Sequence, residues 1–236
     1  MAIEPAVAAS LKILAIETST ELCSVALLVG EDLHCDAALA PNQHAERLMP
    51  MIRQLLGSAD LPMSGVDAVA FGQGPGSFTG LRIACGIAQG LALGASRPVI
   101  AVPSVLALAE QAGGARVVVG LDARMGETYL AAYTHTGSDW SAVVEPALFP
   151  RAALPSLEGS DWVAVGSGFD AFDWLREAYA PRVGRHVGNA LPRADAVARL
   201  AARRLARGEV LEAEGAAPLY LRDKVALTTQ ERRAGG

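Results

Sequence analysis

Metal-ligand spacing is absent from this chain of 236 residues. Its three cysteines, Cys23, Cys35 and Cys85, stand far apart, form no CxxC pair and are odd in number. They read as small buried hydrophobes of a reducing compartment, not as a disulfide framework. The four histidines (His34, His44, His135 and His186) make no HxxxH or HExxH motif, and a metal site needs three or four ligands. Neither a metal nor a cofactor is therefore expected, and His44, which opens a helix close to Glu46, is assigned local hydrogen bonds. An excess of positive charge is missing too. The formal net charge of −5 argues against a protein that grips nucleic acid alone, because neutralising phosphates needs a basic surface. Arg199, Arg203, Arg204 and Arg207 do gather on one side of a helix, where they read as a solvated face. The start Met1-Ala-Ile-Glu-Pro5 has no basic stretch leading into a long apolar core, and the apolar run at 83–93 is broken by Gln89 and by glycines. No signal peptide and no membrane span are expected, and a cytoplasmic location is.

What the chain does have is 51% hydrophobic against 19% charged residues, enough to bury a sizeable core. Apolar runs of strand length occur at Lys12–Glu17, Leu22–Val29 and Leu33–Leu39, joined by turn residues as in a meander. Over Gln43–Leu56 the residues Leu48, Met51, Ile52, Leu55 and Leu56 follow helical spacing, with Pro50 inside as a source of a kink or of loosened first turns. A strand at Val66–Phe71, a helix from Thr79 to Ser96, a strand at Pro98–Val102 and a helix at Val105–Gln111, opened by Pro103-Ser104, complete a first lobe. Ala112-Gly-Gly-Ala115 is the candidate boundary. Beyond it the order repeats: strands at Arg116–Asp122, Thr128–Thr134 and Val143–Phe149, a helix at Arg151–Leu157, a strand at Trp162–Gly166 and a helix at Phe169–Tyr179. A last helix at Arg193–Arg207 and the segment Ala217–Arg222 follow. The pattern is α/β, two related lobes, each a mixed sheet flanked by helices.

Three constellations could carry chemistry. Gly72-Gln-Gly-Pro-Gly-Ser-Phe-Thr-Gly-Leu-Arg82 is a glycine-rich turn running into a helix, an arrangement that suits an anion. It is neither a Walker A loop nor GxGxxG, and Pro75 keeps Ser77 out of a G-x-S-x-G elbow. The other reading is a tight turn capped by Ser77 or Thr79. Behind it Gly86, Gly90 and Gly94 fall four residues apart in one helix, where each costs about 0.5–1 kcal/mol against alanine. Close approach of another backbone would offset that cost, either the chain's own sheet or a partner helix. Finally, Glu17 with Thr18, Ser19 and Thr20 sits at a hairpin where nucleotide-binding proteins hold phosphate; a carboxylate there repels phosphate unless a metal ion intervenes, and the hydroxyls suit turn capping. Asp122 ends a strand of the second lobe and could face the cleft. Its alternative role is a charged hairpin turn, with Arg124 paired to Asp122 or Glu127.

Ile13-Leu-Ala-Ile-Glu-Thr-Ser-Thr20 with Ser24-Val-Ala-Leu27, His44-Ala-Glu-Arg-Leu-Met-Pro50, Gly74-Pro-Gly-Ser-Phe-Thr-Gly-Leu-Arg82, Leu121-Asp-Ala-Arg124 and Pro218-Leu-Tyr-Leu-Arg222 together resemble the bacterial TsaB (YeaZ) family. The resemblance implies the ASKHA (actin-like, Hsp70-like) fold, with an N-terminal lobe at 1–111 completed by 215–227, a C-terminal lobe at 112–214 and a disordered tail at 228–236. It further implies a non-catalytic subunit of the machinery that places threonylcarbamoyl on the adenosine beside the anticodon of tRNA. Its partners would be the catalytic paralogue TsaD, the ATPase TsaE, tRNA through the complex, and a second copy of the chain when TsaD is absent. Carried onto this sequence, the partner surface comprises His44, Leu48, Met51, Ile52, Leu55, Arg82, Gly86, Gly90 and Gly94. An ATP-binding ASKHA enzyme or an M22-type protease is the alternative; for it Thr18, Ser19, Gly74, Gly76, Ser77 and Asp122 are the nucleotide- or anion-facing candidates.

Overall fold

The structure, a computed structural model, describes residues 11–222. The tail expected at 228–236, and residues 223–227 of the segment expected to complete the first lobe, lie outside the described residues. Two five-stranded mixed sheets form the frame. The first contains β1 (Lys12–Glu17), β2 (Leu22–Val29), β3 (Asp32–Leu39), β4 (Ala68–Gly74) and β5 (Val99–Pro103), in the order β3-β2-β1-β4-β5. The second contains β6 (Arg116–Asp122), β7 (Glu127–Thr136), β8 (Asp139–Pro150), β9 (Trp162–Val165) and β10 (Val183–Val187), in the order β10-β9-β6-β7-β8. Read from its own first strand, each sheet has the same plan. Three strands pair antiparallel and two are added in parallel on the other side. This is the expected α/β arrangement of two related lobes, each a mixed sheet flanked by helices.

The helices are α1 (His44–Ser58), α2 (Phe78–Ala95), α3 (Ser104–Ala112), α4 (Ser167–Ala171), α5 (Asp173–Tyr179) and α6 (Ala194–Ala206). Alternating residues of β1 serve two cores. Leu14 and Ile16 face α1 and α2, while Ile13 and Ala15 join the cluster that holds α3 and α6. A strand covered on both faces loses the polar alternation of a half-exposed one, which is why β1, β2 and β4 are nearly continuous apolar runs. β3, at the sheet edge, has no buried residue and carries polar side chains at Asp32, His34 and Asp36.

Several expectations are corrected. The helix expected at Arg151–Leu157 is only a 3-10 turn at Arg151–Ala153; Leu154 precedes Pro155 and is extended, as a residue before proline prefers. The single helix expected at Phe169–Tyr179 is two, α4 and α5, divided at extended Phe172. β10 has no counterpart in the sequence reading, since its residues are largely exposed and carry no apolar run. α1 runs over His44–Ser58 with Pro50 inside it, as expected. α6 lies within residues assigned to the second lobe but packs on the first sheet. Its first N–H, at Ala194, donates to Ser24 Oγ of β2 at 3.0 Å, and Leu211 beyond it bridges to Val99 of β5. The α6 arginines are more than a solvated face: Arg203 pairs with Glu110 at 2.6 Å, Arg207 with Asp139 and Glu209, and Arg204 donates to the Ala101 carbonyl. Cys23 and Cys85 are buried, whereas Cys35, on the edge strand, is exposed.

Candidate functional site: a closed crevice and an open helix face

The glycine turn joins β4 to α2, directly opposite the β1–β2 hairpin. Three of its glycines are there because hairpin atoms occupy the space a side chain would need. A methyl group at Gly72 would overlap Glu17 Oε2, one at Gly80 would overlap the Thr18 carbonyl, and one at Gly76 would overlap the Ser19 carbonyl and lie 2.7 Å from Ser19 Cβ. Gly74 has φ +102°, a conformation that suits glycine. Hydrogen bonds then seal the approach: Ser77 N–H donates to the Ser19 carbonyl at 2.7 Å, and the Thr18 hydroxyl donates to the Gly80 carbonyl at 2.8 Å. Ser77 also caps α2, its Oγ accepting from Gly80 N–H at 3.3 Å.

Glu17 itself is fully buried. Its Oε1 accepts from Ser19 N–H at 2.6 Å, and its Oε2 accepts from the Ser104 hydroxyl at 2.6 Å. Burial pushes its pKa above the usual carboxylate value, against the opposing pull of those hydrogen bonds. The roles drawn for Thr18, Ser19, Gly74, Gly76 and Ser77 towards a nucleotide or external anion are therefore corrected: Ser19 N–H and, through Ser104, Gly74 N–H are turned on Glu17 instead. Thr18 and Ser19 are buried, and the turn's glycines admit the hairpin rather than an open phosphate cradle. Asp122 is also spent locally. Its Oδ1 accepts from Arg124 N–H at 2.7 Å and its carboxylate lies 3.5 Å from the Arg124 guanidinium, while Glu127 pairs with Arg222 instead.

The segment Ala216–Arg222 crosses this region as a strap. The Ala216 carbonyl accepts from Gln89 Nε2 at 2.9 Å, Leu219 N–H donates to the Gln73 carbonyl at 2.7 Å, and Arg222 reaches the second lobe at Glu127 (2.7 Å) and the Ala123 carbonyl (3.0 Å). Under it lies a cavity of about 70 Å³ lined by Pro75, Phe78, Leu81, Tyr129, Tyr220 and Arg222. The Arg82 guanidinium stands 3.5 Å from the Phe78 ring centre, and Arg82 Nε donates to the Tyr220 hydroxyl at 2.9 Å. Sequence reasoning missed Ser104, Phe78 and Tyr220. Phe78 directly follows the cap of α2, which is a usable signal; Arg82 and Tyr220 are 138 positions apart, and no local pattern links them.

α2 is apolar along its 18 residues, with mean hydropathy 1.3 and only 33% of it buried. By length and composition alone it could cross a membrane; in the fold Ala84, Cys85, Ala88 and Ala92 press on the first sheet. The opposite face carries Gly86, Gly90 and Gly94. All three are exposed, and a methyl group added at any of them would meet nothing within 4 Å. Leu93 beside them is 62% exposed. Packing on the chain's own sheet does not explain these glycines. α1 presents the reverse situation. Leu48, Met51, Ile52 and Leu55, assigned to the partner surface with His44, are buried in the core against β1, β2 and β4. Apolar helical spacing marks the face a helix buries, and here its own sheet takes it. His44 is buried as well, and its Nε2 has no hydrogen-bond partner among the described residues, so the expected local bonds at that atom are not made. The exposed side of α1 is Glu46, Arg47, Pro50, Arg53 and Gln54.

Against known proteins, residues 38–229 match the family model described as "TsaD: tRNA N6-adenosine threonylcarbamoyltransferase". The tRNA threonylcarbamoyladenosine biosynthesis protein TsaB of Escherichia coli K12 is 37% identical over 233 residues, covering 92% of this chain and 96% of that protein. The chain belongs to the TsaB (YeaZ) family. The Haemophilus influenzae TsaB is 38% identical over 92% of this chain and 95% of that protein. The solved structure of YeaZ from Pseudomonas aeruginosa has a TM-score of 0.81 and 39% identity, over 89% of this chain and all of that one. In this chain the crevice is closed by its own carboxyl group, and the glycine-lined face of α2 is left open among the described residues.

Proposed function

We propose that this chain is the non-catalytic partner of the catalytic paralogue TsaD in forming threonylcarbamoyladenosine beside the anticodon of tRNA. Family membership supports the pathway, because its relatives are named for that biosynthesis. The observation that carries the subunit role is the open face of α2. Three glycines in one helix weaken it by about 0.5–1 kcal/mol each, and none of the described residues uses the room they leave. A partner helix laid on that face could approach at the short end of the usual 8–10 Å interaxial range, covering Leu93 and the half-buried Ile83 and Ile87. Arg82, exposed at the start of the same stripe, belongs to this surface. TsaE and tRNA would engage the assembled complex, and a second copy of the chain would use the same face when TsaD is absent. The carboxyl group of Glu17 in the crevice speaks against the alternative of an ATP-binding enzyme.

The test is co-purification with TsaD together with a tRNA modification assay. Gly86→Leu and Gly90→Leu should abolish co-purification and reduce modification to the level seen without the chain, while the isolated variants remain at least as stable as the parent. Undiminished co-purification would overturn the interface.

A further inference from the structure

We propose that Glu17 is a built-in ligand: its carboxyl group occupies, from within, an oxyanion site formed by the β1–β2 hairpin, the glycine turn and the start of α3. Donors from separate parts of the chain converge on it. Ser19 N–H reaches Oε1 and the Ser104 hydroxyl reaches Oε2, each at 2.6 Å. The Ser104 oxygen in turn accepts from Gly74 N–H at 3.2 Å, so the turn's own amide is relayed to the carboxyl group. The Ser19 hydroxyl is buried and has no hydrogen-bond partner among the described residues.

Convergent N–H and O–H donors without a competing acceptor are how proteins hold carboxylates and phosphates. Among the described residues no cation acts on Glu17, so these donors alone oppose the cost of burying it, and they offset that cost only in part. The space is specific as well, since Oε2 stands where a Gly72 side chain would begin. The carboxyl group thereby holds Ser104 and, through it, Gly74 of the turn. The ligand class that would replace it is a small carboxylate or an inorganic oxyanion.

Thermal unfolding of the full chain tests this in chloride, acetate and phosphate at equal ionic strength, with the parent's own salt response subtracted. Glu17→Ala should unfold several degrees lower in chloride and recover a large part of the loss in acetate or phosphate. The double variant Glu17→Ala, Gly72→Ala should lose that recovery, because the new methyl group takes the ligand's place. Equal loss of Glu17→Ala in all three salts would overturn the proposal. Should Glu17→Ala not fold in chloride, Gly72→Ala supplies an independent reading through Glu17→Asp, whose shorter side chain withdraws from that space. Gly72→Ala should lower the midpoint strongly in the parent and much less beside Glu17→Asp; equal loss in both backgrounds would place the carboxyl group elsewhere and sink the idea.

Discussion

A buried carboxyl group with no cation acting on it among the described residues makes Glu17 sensitive to pH in a definite direction. Its native pKa is raised by burial. The sign follows from linkage: the native state holds the proton more tightly than the unfolded chain, so stability is complete below the ordinary carboxylate pKa and falls as pH rises through the native value. Glu17→Gln keeps the shape and removes the charge. The expected outcome is a variant at least as stable as the parent at pH 8, with the difference shrinking towards pH 4, read by urea unfolding at both ends. A parent that gains stability over Glu17→Gln as pH rises would show that hydrogen bonding outweighs burial at this site.

At the scale of elements, α2 holds two kinds of glycine that the sequence presents alike. Gly80 is locked against the Thr18 carbonyl, whereas Gly86 and Gly90 face open space. Gly86→Ala and Gly90→Ala should each stabilise the isolated chain by about 0.5–1 kcal/mol, the helix-propensity difference. Gly80→Ala should destabilise it by about 1–3 kcal/mol through overpacking. Chemical denaturation of the three variants checks the contrast, and equal effects at Gly80 and Gly86 would contradict it. The four-residue spacing was legible, and so was the amphipathic pattern of α1. The side of α1 left for a partner was not: periodicity identifies an apolar face, and only the placement of the sheet shows that Leu48, Ile52 and Leu55 are already covered.

For the whole molecule, the strap and α6 join the lobes. α6 and α3 pack together between the two sheets, and Arg222 carries the strap from α2 to the β6–β7 turn. The Arg222–Glu127 pair is largely shielded, at 19% and 27% side-chain exposure, so Arg222→Ala should cost about 1–2 kcal/mol through the lost pair and the stranded Ala123 carbonyl. It should also speed amide exchange at Leu219, whose N–H is bonded to Gln73. Unaltered exchange there would mean the strap is held by the first lobe alone.

The sequence by itself determined the repeated α/β order, most element positions and, through its motifs, the family. Each of these depends on local spacing: period-two and period-3.6 runs, cap residues, and glycines at turns. Tertiary structure decided what the glycine turn is for. Whether a glycine admits an anion, a neighbouring strand or a partner depends on which atoms stand opposite it, and those atoms come from residues far away in the chain. Glu17 meets Ser104 across 87 positions, and Tyr220 fixes Arg82 across 138. The turn closes on Glu17, and the glycine face of the helix behind it remains open, because the fold brings the hairpin to one and none of the described residues to the other.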